Sequence, residues 1–196
     1  MKKITPSKKS MIQTTLIACV LLIASCDNNQ KPKDTKVVAE EKNEAHFEKN
    51  NLEEDAEFLI DVSEMNMEAI QLGQMAQQKG STAEIRELGK MMKDAHTKSQ
   101  KSLTILASSK GISIPSSPTN DANDDYIKLN KKSGKDFDKS YADMVVDGHK
   151  DAIADFEKAT TECKDTEIKN WAIASLPDLR THLNHAIDCK NKCDKM

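Results

Sequence analysis

From residue 52 onward, apolar side chains recur at alternating steps of three and four, the spacing that lines one face of a helix. Phe58, Val62, Met65, Ala69, Leu72 and Ala76 form the first such stripe, and Lys79-Gly80 ends it. Ser81-Thr82-Ala83-Glu84 then reads as a capping box opening a second helix. Its inward positions are Ile85, Leu88, Met92, Ser99, Leu103 and Leu106, and Lys110-Gly111 is its stop. Residues 111–133, with two prolines, several serines and an Asp/Asn-rich run, predict a long polar connection. A third helix starts near Gly134 and carries Phe137, Tyr141, Met144, Gly148, Ala152, Phe156 and Ala159. A fourth, capped by Asp165, carries Ile168, Ala172, Leu176, Leu179, Leu183 and Ala186. Pro177 removes one backbone hydrogen bond and predicts a kink, not an end, because the stripe resumes beyond it. The expectation is an all-α fold over residues 51–193: two helical hairpins joined by a long crossover, making a four-helix bundle. The helix openings STAEIR and DTEIK are faintly alike, as two related hairpins would be.

The first 50 residues follow other patterns. Lys2, Lys3, Lys8 and Lys9 precede an apolar run from Met11 to Ile23, and Ala24-Ser25-Cys26 closes it. This is the plan of a secretory signal over residues 1–25, and the run is too short for a spanning helix, which needs ~20 apolar residues. Ile23-Ala24-Ser25-Cys26 resembles a bacterial lipobox, which predicts Cys26 as the lipid-modified first mature residue. Acyl chains there, palmitate among them, would anchor the protein to a membrane without crossing it. The expected location is the bacterial cell envelope, on the inner or outer membrane, periplasmic or surface-exposed. Residues 26–50 are almost wholly polar and predict a disordered tether, with His46 a solvated bystander.

Cleavage before Cys26 would leave 25 basic against 32 acidic side chains, a net charge of −7. An acidic chain with few aromatics and no basic stripe excludes nucleic acid as a partner; no feature names a protein partner. Of the remaining cysteines, Cys163 and Cys189 are about 24 helical residues apart, ~36 Å, too far for a disulfide. Cys189 and Cys193 could pair only if the helix end frays, and His185, Cys189 and Cys193 form a row that could hold a soft metal. Met65, Met67, Met75, Met91 and Met92 read as core filling in preference to a copper face. No phosphate loop, dinucleotide motif, nucleophile elbow or His-Glu-x-x-His is present, so no catalytic residue is assigned and an enzyme has no positive support.

The histidines carry the remaining chemistry. Glu68 on the first helix, His96 on the second, His149 on the third and His182 on the fourth all border inward stripes, while His185 turns toward solvent. Counted from the nearer turn at 1.5 Å per residue, they lie ~18, ~23, ~22 and ~28 Å along their helices, near mid-height. Converging side chains at mid-height are where such folds build metal sites.

Four stretches, FLIDVSEMNMEAIQLGQMA, MMKDAHTKSQKSL, FDKSYADMVVDGHKDAI and SLPDLRTHL, resemble the bacterial envelope family called domain of unknown function 4142. The resemblance runs from Glu54 to Ala186. Phe137-Asp138, Tyr141 and His149, with Leu176-Pro177 and His182, are its most specific residues. It implies a ferritin-like four-helix bundle, with a glutamate at Glu68 and histidines at His96, His149 and His182; it implies no activity.

A di-iron centre would need Glu-x-x-His twice, and Lys93 and Leu179 occupy the positions three before His96 and His182. A single divalent ion, Zn²⁺ or Fe²⁺, at Glu68, His96, His149 and His182 is one reading. Asp138, Tyr141 and Asp178 are then candidates to orient the ligands. The other reading is a buried polar layer whose members hydrogen-bond one another and fix helix packing. The first makes the chain a binding or stress-protective module, the second a structural or protein-interaction module.

Overall fold

A computed structural model describes residues 32–47 and 52–195, excluding the side chains of His46 and Phe47. The expected leader and the lipid-anchor Cys26 lie outside the described residues. The chain from Lys33 onward forms one compact unit. It is all-helical: α1 (Thr35–Phe47), α2 (Glu53–Lys79), α3 (Ala83–Lys110), α4 (Asn120–Asn130), α5 (Gly134–Glu162) and α6 (Thr166–Cys193).

The long helices end where local chemistry stops them. Asp165 caps α6 by accepting from the amides of Glu167 and Ile168 at 2.8 and 3.1 Å. The cap of α3 is Thr82, accepting from the Ile85 amide at 3.3 Å, one residue beyond the expected Ser81. Ser81 is drawn away because it donates to a carboxylate of α5 instead. α6 runs through Pro177 as one helix. The carbonyl that loses its partner belongs to Ile173, a half-exposed residue where water can serve it.

α2 packs on α3 and α5 on α6, while α2 also meets α5 and α3 meets α6. Tight turns at 80–82 and 163–165 make each consecutive pair antiparallel. The start of α2 touches the second turn and the start of α5 touches the first, so α2 and α5 are antiparallel too. α3 therefore ends at the opposite end from the start of α5, and residues 111–133 have to travel the length of the molecule. They do so along α2, held by Ser63 on the Pro115 carbonyl at 3.3 Å and Thr119 on Glu64 at 2.5 Å. Asn130 receives Lys79 further along.

This crossover is more structured than its composition predicts. Asn120–Asn130 form α4, whose Ala122 and Leu129 are buried. Residues 35–47, expected within a disordered tether, form α1 against α2. Its composition is polar, but its polar groups find specific partners. Asn43 donates to the Ser113 carbonyl and accepts from its amide at 2.8 and 2.7 Å, and Lys36 bridges Asp61 and Glu64 at 2.8 Å each. Ala39 supplies the buried apolar contact.

The α2–α3 contact is set by two glycines. A Cβ built on Gly73 would lie 2.7 Å from the Gly89 carbonyl oxygen, and one on Gly89 would lie 2.7 Å from both the Gly73 carbonyl oxygen and Ala76 Cβ. Gly89→Ala, which elsewhere in a helix would stabilise, is therefore expected to cost about 2–3 kcal/mol, because backbone cannot yield as a side chain would. Urea denaturation measures this, and an unchanged midpoint would show that the helices separate freely.

The core has two apolar parts. One, toward the second turn, includes Leu59, Leu103, Phe156, Ile168 and Leu179. The other, toward the first turn, includes Ile85, Met92, Phe137, Tyr141 and Ala186. Between them lies a buried polar layer: Ser63, Asn66, His96 and His149.

Candidate metal centre

His96 on α3 is 2% exposed and His149 on α5 is 5% exposed; His182 on α6 is partly buried. Their ring centroids are 5.4 Å (His96–His149), 5.8 Å (His96–His182) and 5.5 Å (His149–His182) apart. One ring nitrogen from each lies within 4.8 Å of the others, and no other such group of three His, Cys, Asp or Glu occurs among the described residues.

Hydrogen bonds fix two of the rings. His149 Nδ1 lies 2.8 Å from the Val145 carbonyl. A carbonyl only accepts, so Nδ1 carries the proton and Nε2 a lone pair. His96 Nδ1 lies 2.8 Å from Asn66 Oδ1. The Asn66 amide nitrogen donates to Ser99 Oγ at 3.1 Å and Gln100 Oε1 at 3.3 Å, which assigns Oδ1 as the acceptor and Nδ1 of His96 as the donor. Asn66 thus orients His96 as outer groups orient metal-binding histidines. His96 Nε2, His149 Nε2 and His182 Nδ1 are buried with no hydrogen-bond partner.

Burial first, then the neighbouring imidazoles, pushes His96 down to about 3. Burial likewise brings His149 down to about 4, against the upward pull of the Val145 carbonyl. His182 is lowered by burial, opposed by the charge of Asp178. All three rings are therefore neutral near pH 7, the protonation state that donates to a metal. A buried polar atom without a partner costs about 1–3 kcal/mol, and three converging ring nitrogens are what a cation would satisfy. The residues present fit a borderline first-row ion.

Beside the cluster is a cavity of about 60 Å³ between α2 and α5, walled by Glu68, Tyr141, His96 and His149, with Met65, Met92 and Met144. Glu68 thus stands on the cavity wall, outside the three-nitrogen group. Burial, then Asp125, Glu64 and Asp121, pushes it up to about 7, so it holds a proton through mildly acidic pH. The Tyr141 hydroxyl is buried without a partner, and burial raises its pKa, keeping it a phenol.

Asp138 lies elsewhere. Its fully buried carboxylate accepts from the amides of Ser81 and Thr82 and from both hydroxyls, at the first turn. It orients no histidine there, because the turn lies about 14 residues, ~21 Å, from His96 along α3. Asp178 is exposed and reaches His182 only through its charge. His185 is exposed, as its helical position predicts, and forms no metal-binding group with Cys189 and Cys193. All three described cysteines are free thiols, and burial with the nearby Asp55 pushes Cys163 up to about 12.

Asn66 escapes a reading of periodicity because it is a polar residue adjacent to the Met65 stripe. Gly148, expected to face inward, is exposed at the α2–α5 seam. Searches of curated proteins and of solved structures find no match to the chain. The chain belongs to the family described as a domain of unknown function, DUF4142, whose model matches residues 40–188.

Proposed function

We propose that the chain is a metal-holding module of the bacterial cell envelope: a ferritin-like four-helix bundle, tied to a membrane by acyl chains on Cys26. It takes one divalent first-row ion, Zn²⁺ or Fe²⁺, at His96, His149 and His182. The observation that carries this reading is the convergence of three buried ring nitrogens with no hydrogen-bond partner. A layer that served only packing would have its rings hydrogen-bonded to one another, and these nitrogens are not. Glu68 and Tyr141 on the cavity wall would face the remaining coordination position, a carboxylate or a water completing the set. One ion is favoured over two because Lys93 and Leu179 stand where a di-iron bundle places glutamates. The envelope anchor rests on the residue pattern around Cys26.

The test is metal content and calorimetric titration of the protein purified without a metal-binding tag, beside His96→Ala/His149→Ala. The expected result is one Zn²⁺ or Fe²⁺ per chain, lost in the double variant, with a raised melting temperature only in the unaltered protein. A folded, unaltered protein that binds neither ion would overturn the reading and leave the polar layer as a packing device.

A further inference from the structure

A larger cleft of about 420 Å³ runs along the seam of α2 and α5, from the second turn toward mid-height. It shares Met65 and Gly148 with the smaller cavity beside His96 and His149, so the two meet at those residues. Its rim carries Glu54, Glu57, Asp61, Asp151, Asp155 and Glu162, against one lysine, Lys158, which pairs with Glu162 at 3.6 Å. Among the described residues none of Glu54, Glu57, Asp151 and Asp155 has a salt-bridge partner. Burial first, then the charges of Asp61 and Asp151, raises Asp155 against the pull of Lys158; of these carboxylates Asp61 also pairs with Lys36. The floor is apolar, with Phe58, Val62 and Phe156. A cleft of one sign with low-dielectric walls focuses its field and raises the local concentration of counter-ions.

Gly148 stands where the two spaces join. A glycine inside a helix costs about 0.8–1.0 kcal/mol relative to alanine, and packing gives no reason for it: a Cβ there would meet nothing within 4 Å. This is the reverse of Gly73 and Gly89, where backbone fills the space. What a side chain at 148 would occupy is the junction itself.

We propose that the α2–α5 cleft is the route by which hydrated divalent cations reach the histidine cluster, with Gly148 keeping its inner end open. The acidic rim does not stand alone as evidence. His96 and His149, more than nine-tenths buried, line the inner cavity with Nε2 unpartnered, so the route ends at groups that lack a ligand. The proposal rests on the metal reading, and its signature is kinetic: narrowing the route slows arrival and release alike and leaves Kd as it was, whereas removing rim charge slows arrival alone and raises Kd in the same proportion.

Stopped-flow mixing of the full chain with Co²⁺, followed by its visible absorption, and release into excess chelator test it. Gly148→Leu is expected to slow association and release by about tenfold each with Kd unchanged, and Gly148→Ala to slow both less. Glu57→Gln/Asp151→Asn/Asp155→Asn is expected to slow association by about tenfold and flatten its dependence on ionic strength, leaving release as it was. Circular dichroism checks that each variant folds, and the charge variants, all on exposed side chains, carry the test if Gly148→Leu does not. Tight binding with unaltered rates in both sets overturns the route while the metal site stands. If the unaltered protein binds no Co²⁺, Zn²⁺ or Fe²⁺, the metal reading and the route fall together.

Discussion

Asp138→Ala is expected to destabilise the folded domain by about 3–5 kcal/mol, a larger loss than Gly89→Ala brings. The carboxylate is fully buried and accepts four hydrogen bonds: Ser81 amide 2.8 Å, Ser81 hydroxyl 2.6 Å, Thr82 amide 3.0 Å and Thr82 hydroxyl 3.1 Å. Alanine would leave two backbone amides facing an apolar site, and those amides hold the first turn against α5. Asp55 does the same at the other end, accepting from the amides of Lys164 and Asp165 at 2.8 and 2.7 Å. Each hairpin's first helix thus ties down the other hairpin's turn, a reciprocal arrangement in keeping with the likeness of the two helix openings. Urea titration measures the loss; Asp138→Asn, which retains one acceptor oxygen, should lose less. Metal affinity of the folded fraction should not change, since the carboxylate is far from the histidines. A loss below about 1 kcal/mol would show that water replaces the carboxylate.

Acidifying the metal-free protein from pH 6.5 to 4.5 is expected to remove on the order of 3 kcal/mol of stability. The sign follows from His96, at about 3 when folded, and His149, at about 4, both below the ordinary 6.5. Between those values the unfolded chain binds protons that the folded chain excludes. The stability is complete above pH 6.5 and fades as pH falls, by about 1.4 kcal/mol per histidine per pH unit. His182 adds to this in the same direction. Glu68 opposes it: at about 7 when folded against 4.5 unfolded, it costs stability as pH rises through that window and returns it on acidification. The decline should therefore be shallow near pH 6, where Glu68 offsets the histidines most, steepest near pH 4.5, and gentler again below about pH 4, where folded His149 takes up its own proton. Urea midpoints at several pH values report it, and His96→Gln/His149→Gln should abolish the decline or reverse it, since Glu68 then acts against His182 alone. Equal acid sensitivity in that variant would place the protons elsewhere.

The family, the four long helices and the three histidines were legible in the chain. Periodicity places Ile85, Leu88 and Met92 or Phe137, Tyr141 and Phe156 inward, and all six are buried. Periodicity was less adequate for α2, which meets α1, α3, α4 and α5. Cover on several sides buries Ser63 and Asn66 and leaves Phe58 and Met65 at the seam. The polar run 35–47 read as tether because its stabilising groups are distant ones: Ser113, Asp61 and Glu64. Asp138 read as a candidate to orient the ligands because it shares a helix with His149, whereas its real partners are 56 and 57 residues away.

Height along a helix is fixed by the sequence, since each residue advances ~1.5 Å whatever surrounds it. The sequence by itself therefore put Glu68, His96, His149 and His182 near mid-height and ended the helices at the two tight turns. Rotation about the helix axis and the course of the crossover depend on which surfaces meet. Only the tertiary structure decided that Asn66 orients His96, that Glu68 stands back on the cavity wall, and that Gly148 faces open space. Those outcomes come from contacts between helices, which a pattern along one helix does not contain.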